Sequence, residues 1–150
     1  MALTVVLGGP ASGKSLFALA LAASHGPRLG FIATRRPLTP EAELECVRLR
    51  AERRDAFVTW EEPLRIPELV AAHGEYLDAL VIDDAGEWLA NLTAAGTADC
   101  SPVLDRLFEA AARCPAQLVL VAEPGDALKG MRDRADHLFE ITEGKPVRVR

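Results

Sequence analysis

The consecutive residues Gly8-Gly9-Pro10-Ala11-Ser12-Gly13-Lys14-Ser15 have the types and spacing of G-x-x-x-x-G-K-[ST], a loop that cradles the phosphates of a nucleoside triphosphate. Its glycines let the backbone wrap closely, so that N–H groups converge on an anion. Lys14 is placed to reach the β and γ phosphates, and the Ser15 hydroxyl is a ligand for Mg²⁺. A helix starting here sets the positive end of its dipole against the phosphates. The same letters occur in loops that need glycine only for a turn, so the flanking sequence decides. Leu3–Leu7 reads as a short apolar strand, and Ser15-Leu16-Phe17-Ala18-Leu19-Ala20-Leu21-Ala22-Ala23 as a helix apolar nearly all round, suited to burial against a sheet. Strand, glycine loop and helix stand in the required order. The expected cofactors are therefore ATP or GTP together with Mg²⁺, held by Gly8 to Ser15.

Acidic residues supply the other half of such a site. Asp83-Asp84 closes the apolar run Ala79-Leu80-Val81-Ile82, and in open α/β sheets ligands collect at the carboxyl ends of strands. Asp83 is the candidate that holds Mg²⁺ beside Ser15 from a strand next to the phosphate loop. Asp84 is the candidate that orients the attacking group or a water. The structural alternative is that both acids begin a turn before a helix at Gly86–Asn91, since Asp is common in turns. Glu123 ends another apolar run before Pro124-Gly125, which fits either a substrate-contacting carboxylate or a plain exit turn. Arg48, Arg50, Arg53 and Arg54 form a basic run interleaved with Glu45 and Glu52. This is the pattern of a solvated helix face. Arg48 and its neighbours are also candidates for supplying positive charge to a phosphate-bearing substrate.

The elements that must position these residues alternate along the chain. Strands are expected at Leu3–Leu7, Leu29–Thr34, Ala79–Asp83, Gln117–Ala122, His137–Thr142 and Val147–Arg150, the last alternating like a half-exposed edge. Thr39 can cap a helix that starts at Pro40 and runs toward Arg54. A shorter helix is expected over Pro67–His73. A further one follows Ser101-Pro102, with Val103, Leu104, Leu107, Phe108 and Ala111 recurring on one face. Alternating strands and helices indicate an α/β protein with a mainly parallel sheet. The 150 residues, 49% hydrophobic, suffice for one domain with its own core.

Composition narrows the function. A net charge of −5 does not make the basic footprint of a protein that holds nucleic acid mainly through its phosphates. Cys46, Cys100 and Cys114 form no C-x-x-C pair and have no His at metal-ligand spacing, so neither a zinc site nor a disulfide framework is expected. His25, His73 and His137 are scattered over loops and element ends and receive no role. The sequence starts directly with a strand rather than with a signal peptide, and no apolar run approaches the ~20 residues of a membrane span. A cytoplasmic protein is expected.

Several separated segments together resemble the adenosylcobinamide kinase/adenosylcobinamide-phosphate guanylyltransferase family of cobalamin biosynthesis. Gly8–Ser15 corresponds to its T-G-G-x-x-S-G-K-S, Phe31-Ile32-Ala33-Thr34 to its Y-I-A-T, and Trp60-Glu61-Glu62-Pro63 with the preceding Phe57-Val58-Thr59 is similar to its W-x-T-x-E-E-P. Asp83-Asp84 followed by Trp88-Leu89-Ala90-Asn91-Leu92 looks like its strand ending in Asp-Cys and its W-V-x-N-L-L helix. Cys114-Pro115-Ala116 and Arg134-Ala135-Asp136-His137-Leu138-Phe139 also fit. The resemblance implies a P-loop NTPase fold akin to the RecA core, three layers around a mainly parallel sheet. It also implies a kinase step on a cobinamide hydroxyl, and a transfer of GMP through a guanylylated histidine. Counted from Thr34 without a gap, that histidine falls on Arg48. An arginine stays protonated and presents only donors, which unsuits it as a nucleophile. Between Glu123-Pro124-Gly125 and Arg134, roughly thirty residues of family sequence have no counterpart, more than loop trimming accounts for.

The expectation is thus a Mg²⁺-dependent kinase of cobinamide type that has lost the guanylyltransferase step, with Lys14 stabilising the transferred phosphoryl group. A homo-oligomer is compatible with it. The rival is a nucleotide-binding regulatory or assembly module on the same scaffold; a nucleic-acid motor is disfavoured by the acidic balance.

Overall fold

The computed structural model describes residues 3–35, 40–53 and 56–150, apart from the side chains at positions 42, 45, 46, 49, 50, 52, 53 and 126. The seven strands β1 (Leu3–Gly8), β2 (Leu29–Ala33), β3 (Phe57–Glu61), β4 (Ala79–Asp83), β5 (Gln117–Ala122), β6 (His137–Thr142) and β7 (Lys145–Arg148) form one sheet in the order β3-β2-β4-β5-β1-β6-β7. All pairings are parallel except that of β7 with β6. The inner strands are continuous apolar runs because both their faces are covered.

Helices α1 (Lys14–Ala23), α2 (Pro40–Arg53), α3 (Ile66–His73), α4 (Ala85–Ala94), α5 (Ser101–Ala112) and α6 (Lys129–Arg134) complete the layers. On one face Ala18, Leu19 and Ala22 of α1 pack against Val6, Phe31, Val81, Val119 and Val121. On the other, Ile66 and Val70 of α3, Trp88 and Leu92 of α4, Leu107 and Ala111 of α5 and Met131 of α6 pack against Leu7, Ile32, Ile82 and Leu120. The alternation of side chains along each strand thus feeds two separate cores. The expected architecture is met.

Differences lie at edges and ends. Phe57–Glu61, which carries a motif but no strand assignment in the sequence, is the edge strand β3. Its partly exposed residues lack the apolar run that marks the inner strands. β2 stops at Ala33, one residue early, because the next side chain bonds across to Asp84. β7 begins at Lys145 rather than Val147, since Glu143 and Gly144, with φ of 51° and 76°, form a tight turn that starts the pairing at Thr142 and Lys145. It also ends at Arg148 rather than Arg150, with Val147 in the strand 60% exposed and Val149 just beyond it 52% exposed. Helix α1 buries one side only, leaving Leu16 half exposed. The capping residue Thr39 lies outside the described residues. Among those described, no helix is long and apolar enough to cross a membrane.

Candidate functional site

Register aligns the carboxyl ends that carry the candidates. Glu61, Ala33, Asp83, Val121 and Val6 sit opposite one another across β3, β2, β4, β5 and β1, so the glycine loop and the acidic pair leave the sheet from the same edge. The end of the Asp83 strand does lie beside the phosphate loop, although β4 is not the neighbour of β1 and β5 runs between them. The loop bridges the gap by carrying α1 over β5 and β4. There Ser15 Oγ donates to Asp83 Oδ2 at 3.2 Å, joining the two sequence motifs.

The loop has the shape its sequence demands. Gly13 takes a φ of 88°, where a side chain would be strained, and Ala11 a φ of 56°. A Cβ on Gly8 would run into the Ser12 side chain. Ser12 N–H donates to Gly9 O at 3.2 Å, and Lys14 Nζ donates to the same carbonyl at 3.2 Å, which holds the ammonium over the loop. No side chain caps α1 at Gly13, so its first N–H groups are left for an anion. The β6–β7 turn adds a contact that sequence reasoning missed. Gly144 N–H donates to Ser12 O at 2.9 Å, so the C-terminal hairpin braces the loop from outside.

Burial pushes the Asp83 carboxyl up to about 6, with the charge of Asp84 as the second cause; Ser15, Arg35 and Lys14 oppose the rise. Such a carboxylate, next to a hydroxyl and short of compensating charge, fits a hard divalent cation. Among the described residues no cluster of three or more His, Cys, Asp or Glu surrounds it. Two protein oxygens suit Mg²⁺, which keeps several waters and takes further oxygens from phosphates. Asp84 is the N-cap of α4: its Oδ1 accepts from Gly86 N–H at 2.8 Å and from Glu87 N–H at 3.5 Å. Its Oδ2 faces Arg35 Nη2 at 3.8 Å.

Thr34 ties these strands together. Its hydroxyl donates to Asp84 O at 2.8 Å and accepts from Asp84 N–H at 2.9 Å, while its own N–H donates to Asp83 O at 3.0 Å. Asn91 donates to Thr34 O and to Pro63 O, Trp88 Nε1 donates to Leu64 O, and Glu62 Oε2 accepts from Leu64 and Arg65 N–H groups. These motif residues hold loops at the site's edge. Polar side chains just after apolar runs are the sequence signal that points to them.

The remaining candidates take no part in the hydrogen bonds just described. Glu123 is exposed after β5, and Arg48 is exposed on α2. Arg54 and the side chains of Arg50 and Arg53 lie outside the described residues. His25 is exposed, His73 stacks on Trp60 with 4.8 Å between ring centroids, and His137 Nδ1 accepts from Arg148; none is on α2, where the resemblance puts the guanylylated residue. Cys100 and Cys114 are unpaired, and Cys46 has no described side chain.

Comparison with known proteins agrees with this geometry. Residues 4–136 match the family described as cobinamide kinase / cobinamide phosphate guanyltransferase. The bifunctional adenosylcobalamin biosynthesis protein CobP of Pseudomonas aeruginosa is 33% identical over 122 residues, covering 79% of this chain and 69% of that protein. Among solved structures, the RadB recombinase superposes with a TM-score of 0.59 at 15% identity over 93% of this chain and 73% of its own. An ATPase of a bacterial type III secretion system gives 0.63 at 14% identity, over 94% of this chain and 51% of that one. At these identities the structures establish the fold alone, a RecA-like α/β core.

Proposed function

This chain belongs to the cobinamide kinase / cobinamide phosphate guanyltransferase family, and on that premise we propose that it is an NTP-dependent kinase phosphorylating a cobinamide-like hydroxyl, without the guanylyltransferase step. The observation that carries the proposal is the Ser15–Asp83 contact, which brings the phosphate loop and a buried acid to one point. Lys14 and the loop N–H groups bind the β and γ phosphates and stabilise charge on the group in transfer. Ser15 and Asp83 hold Mg²⁺, which when bound neutralises phosphate charge. With Oδ1 committed to capping, Asp84 orients neighbouring groups through Oδ2. Arg48 supplies positive charge to an acceptor on the side of α2. In the transfer, the acceptor oxygen bonds to the γ phosphorus as the bond to the β–γ bridging oxygen breaks, the nucleoside diphosphate leaves, and the hydroxyl proton passes to solvent. The absence of a histidine from α2, with Arg48 at the family position, supports the loss of the second step.

The test is incubation with cobinamide, Mg²⁺ and ATP or GTP. The proposal expects cobinamide phosphate and no GDP-cobinamide. A second reading, the regulatory or assembly module, is favoured by the short connection from Ala122 at the end of β5 to α6 at Lys129, where the family carries a longer segment. It expects nucleotide binding with no phosphorylated acceptor.

A further inference from the structure

We propose that Arg35, at the carboxyl end of β2, is a second phosphate-binding cation of this site, contacting the terminal phosphate of the nucleotide. The proposal rests on the reading of Gly8–Ser15 as a triphosphate site. Register is the first support. Ala33 sits opposite Asp83, so Arg35 emerges level with the acidic pair. It comes from the side of β4 opposite to β5 and β1, which carry the glycine loop's flank. Buried Thr34, bonded through N–H and hydroxyl to Asp83 and Asp84, fixes where the chain leaves the sheet.

The contact with Asp84 is the second support. Arg35 Nη2 stands 3.8 Å from Asp84 Oδ2, beyond hydrogen-bond distance, and the Asp84 side chain is only 11% exposed. Among the other ion pairs of the described residues, Arg28–Asp78, whose acid is 19% exposed, is closed by a hydrogen bond of 2.9 Å, and the rest, such as Arg134–Asp105 at 3.1 Å with an acid 58% exposed, are ordinary surface pairs. Arg35 is therefore drawn toward a nearly buried carboxylate by charge, while its N–H fork is not consumed by it. A planar fork with donors to spare matches the oxygens of a phosphate, which it engages two at a time. Lys14 and Arg35 both act on the charge of Asp83. A γ phosphate held by Lys14 and the loop beside the Ser15–Asp83 contact would lie on the same edge of the sheet from which Arg35 emerges.

The test compares Mg²⁺-dependent affinities for ADP and ATPγS, and for GDP and GTPγS, in wild type, Arg35→Gln and Arg35→Lys, with melting temperatures alongside. Arg35→Gln is expected to weaken the γ-thiotriphosphate by about tenfold while leaving the diphosphate within about twofold, the size expected for losing one charged hydrogen bond. Arg35→Lys recovers part of the loss. A residue that merely supports Asp84 would lower the melting temperature and change both affinities alike. An unchanged ratio in Arg35→Gln overturns this proposal alone. A wild type that binds none of the four nucleotides overturns the triphosphate reading and this proposal with it.

Discussion

At the scale of the residue, Asp83 sets stability against function. Its carboxyl binds a proton more tightly in the folded chain, near pH 6, than in the unfolded one, near the ordinary 3.8. Stability therefore falls as pH rises through that window, and the whole cost, on the order of 3 kcal/mol, is present above it. Asp83→Asn removes the buried charge and its repulsion with Asp84. It is expected to raise the melting temperature of the nucleotide-free protein by several degrees at pH 8 and hardly at all at pH 3, while abolishing the Mg²⁺ dependence of nucleotide binding. Melting curves at both pH values check the first effect and titrations with and without Mg²⁺ the second. Asp83 was legible in the sequence because a carboxylate that ends a buried apolar run costs desolvation energy and gives nothing to the core, which marks it for a ligand. Asp84 was less so: capping a helix and orienting a substrate ask for the same residue type, and only the 2.8 Å bond to Gly86 N–H assigns Oδ1 to the cap. Arg35 gave no signal, since a single arginine after a strand is indistinguishable from a solvated one until its neighbours are known.

At the scale of the element, the β6–β7 hairpin is more than an edge. Its turn places Gly144 N–H on the Ser12 carbonyl, and Gly144 holds a φ of 76° with open space around its Cα. Gly144→Ala therefore meets conformational strain and no clash, a cost of about 1–2 kcal/mol, whereas Asn tolerates this region. The alanine variant is expected to melt lower and to bind nucleotide several-fold more weakly, with Gly144→Asn close to wild type in both. A variant that melts lower yet binds normally would separate the hairpin from the loop. The inner strands and helices α3 and α5 were legible to within a residue or so, because unbroken apolar runs and one-sided helices have few alternatives. The edges β3 and β7 were not, because partial exposure dilutes the apolar pattern that identifies a strand. Short α6 has only buried Met131 to betray its inner side.

At the scale of the whole molecule, the sheet order explains why distant segments meet. With β5 inserted between β1 and β4, the loop must reach across a strand to Asp83, and α1 is the arm that does so. Parallel α/β architecture was legible from alternation alone; the strand order was not, since nothing local to β1, β4 or β5 encodes which neighbour it takes. We propose that residues 1–150 fold as one unit around the two cores on this shared sheet. Denaturant unfolding followed by tryptophan fluorescence, from Trp60 and Trp88, and by far-ultraviolet circular dichroism is expected to give coincident single transitions; separated midpoints would indicate two units. The central claim, that this edge of the sheet is a Mg²⁺-nucleotide site organised by Lys14, is tested most directly by calorimetric titration of wild type and Lys14→Ala with ATP and with GTP in the presence of Mg²⁺. The account predicts binding by wild type that weakens by ten- to a hundredfold in Lys14→Ala, about 1.5–3 kcal/mol for a charged hydrogen bond to phosphate, with the melting temperature of the nucleotide-free protein little changed. Equal affinities in the two proteins, or no heat from wild type, would contradict it.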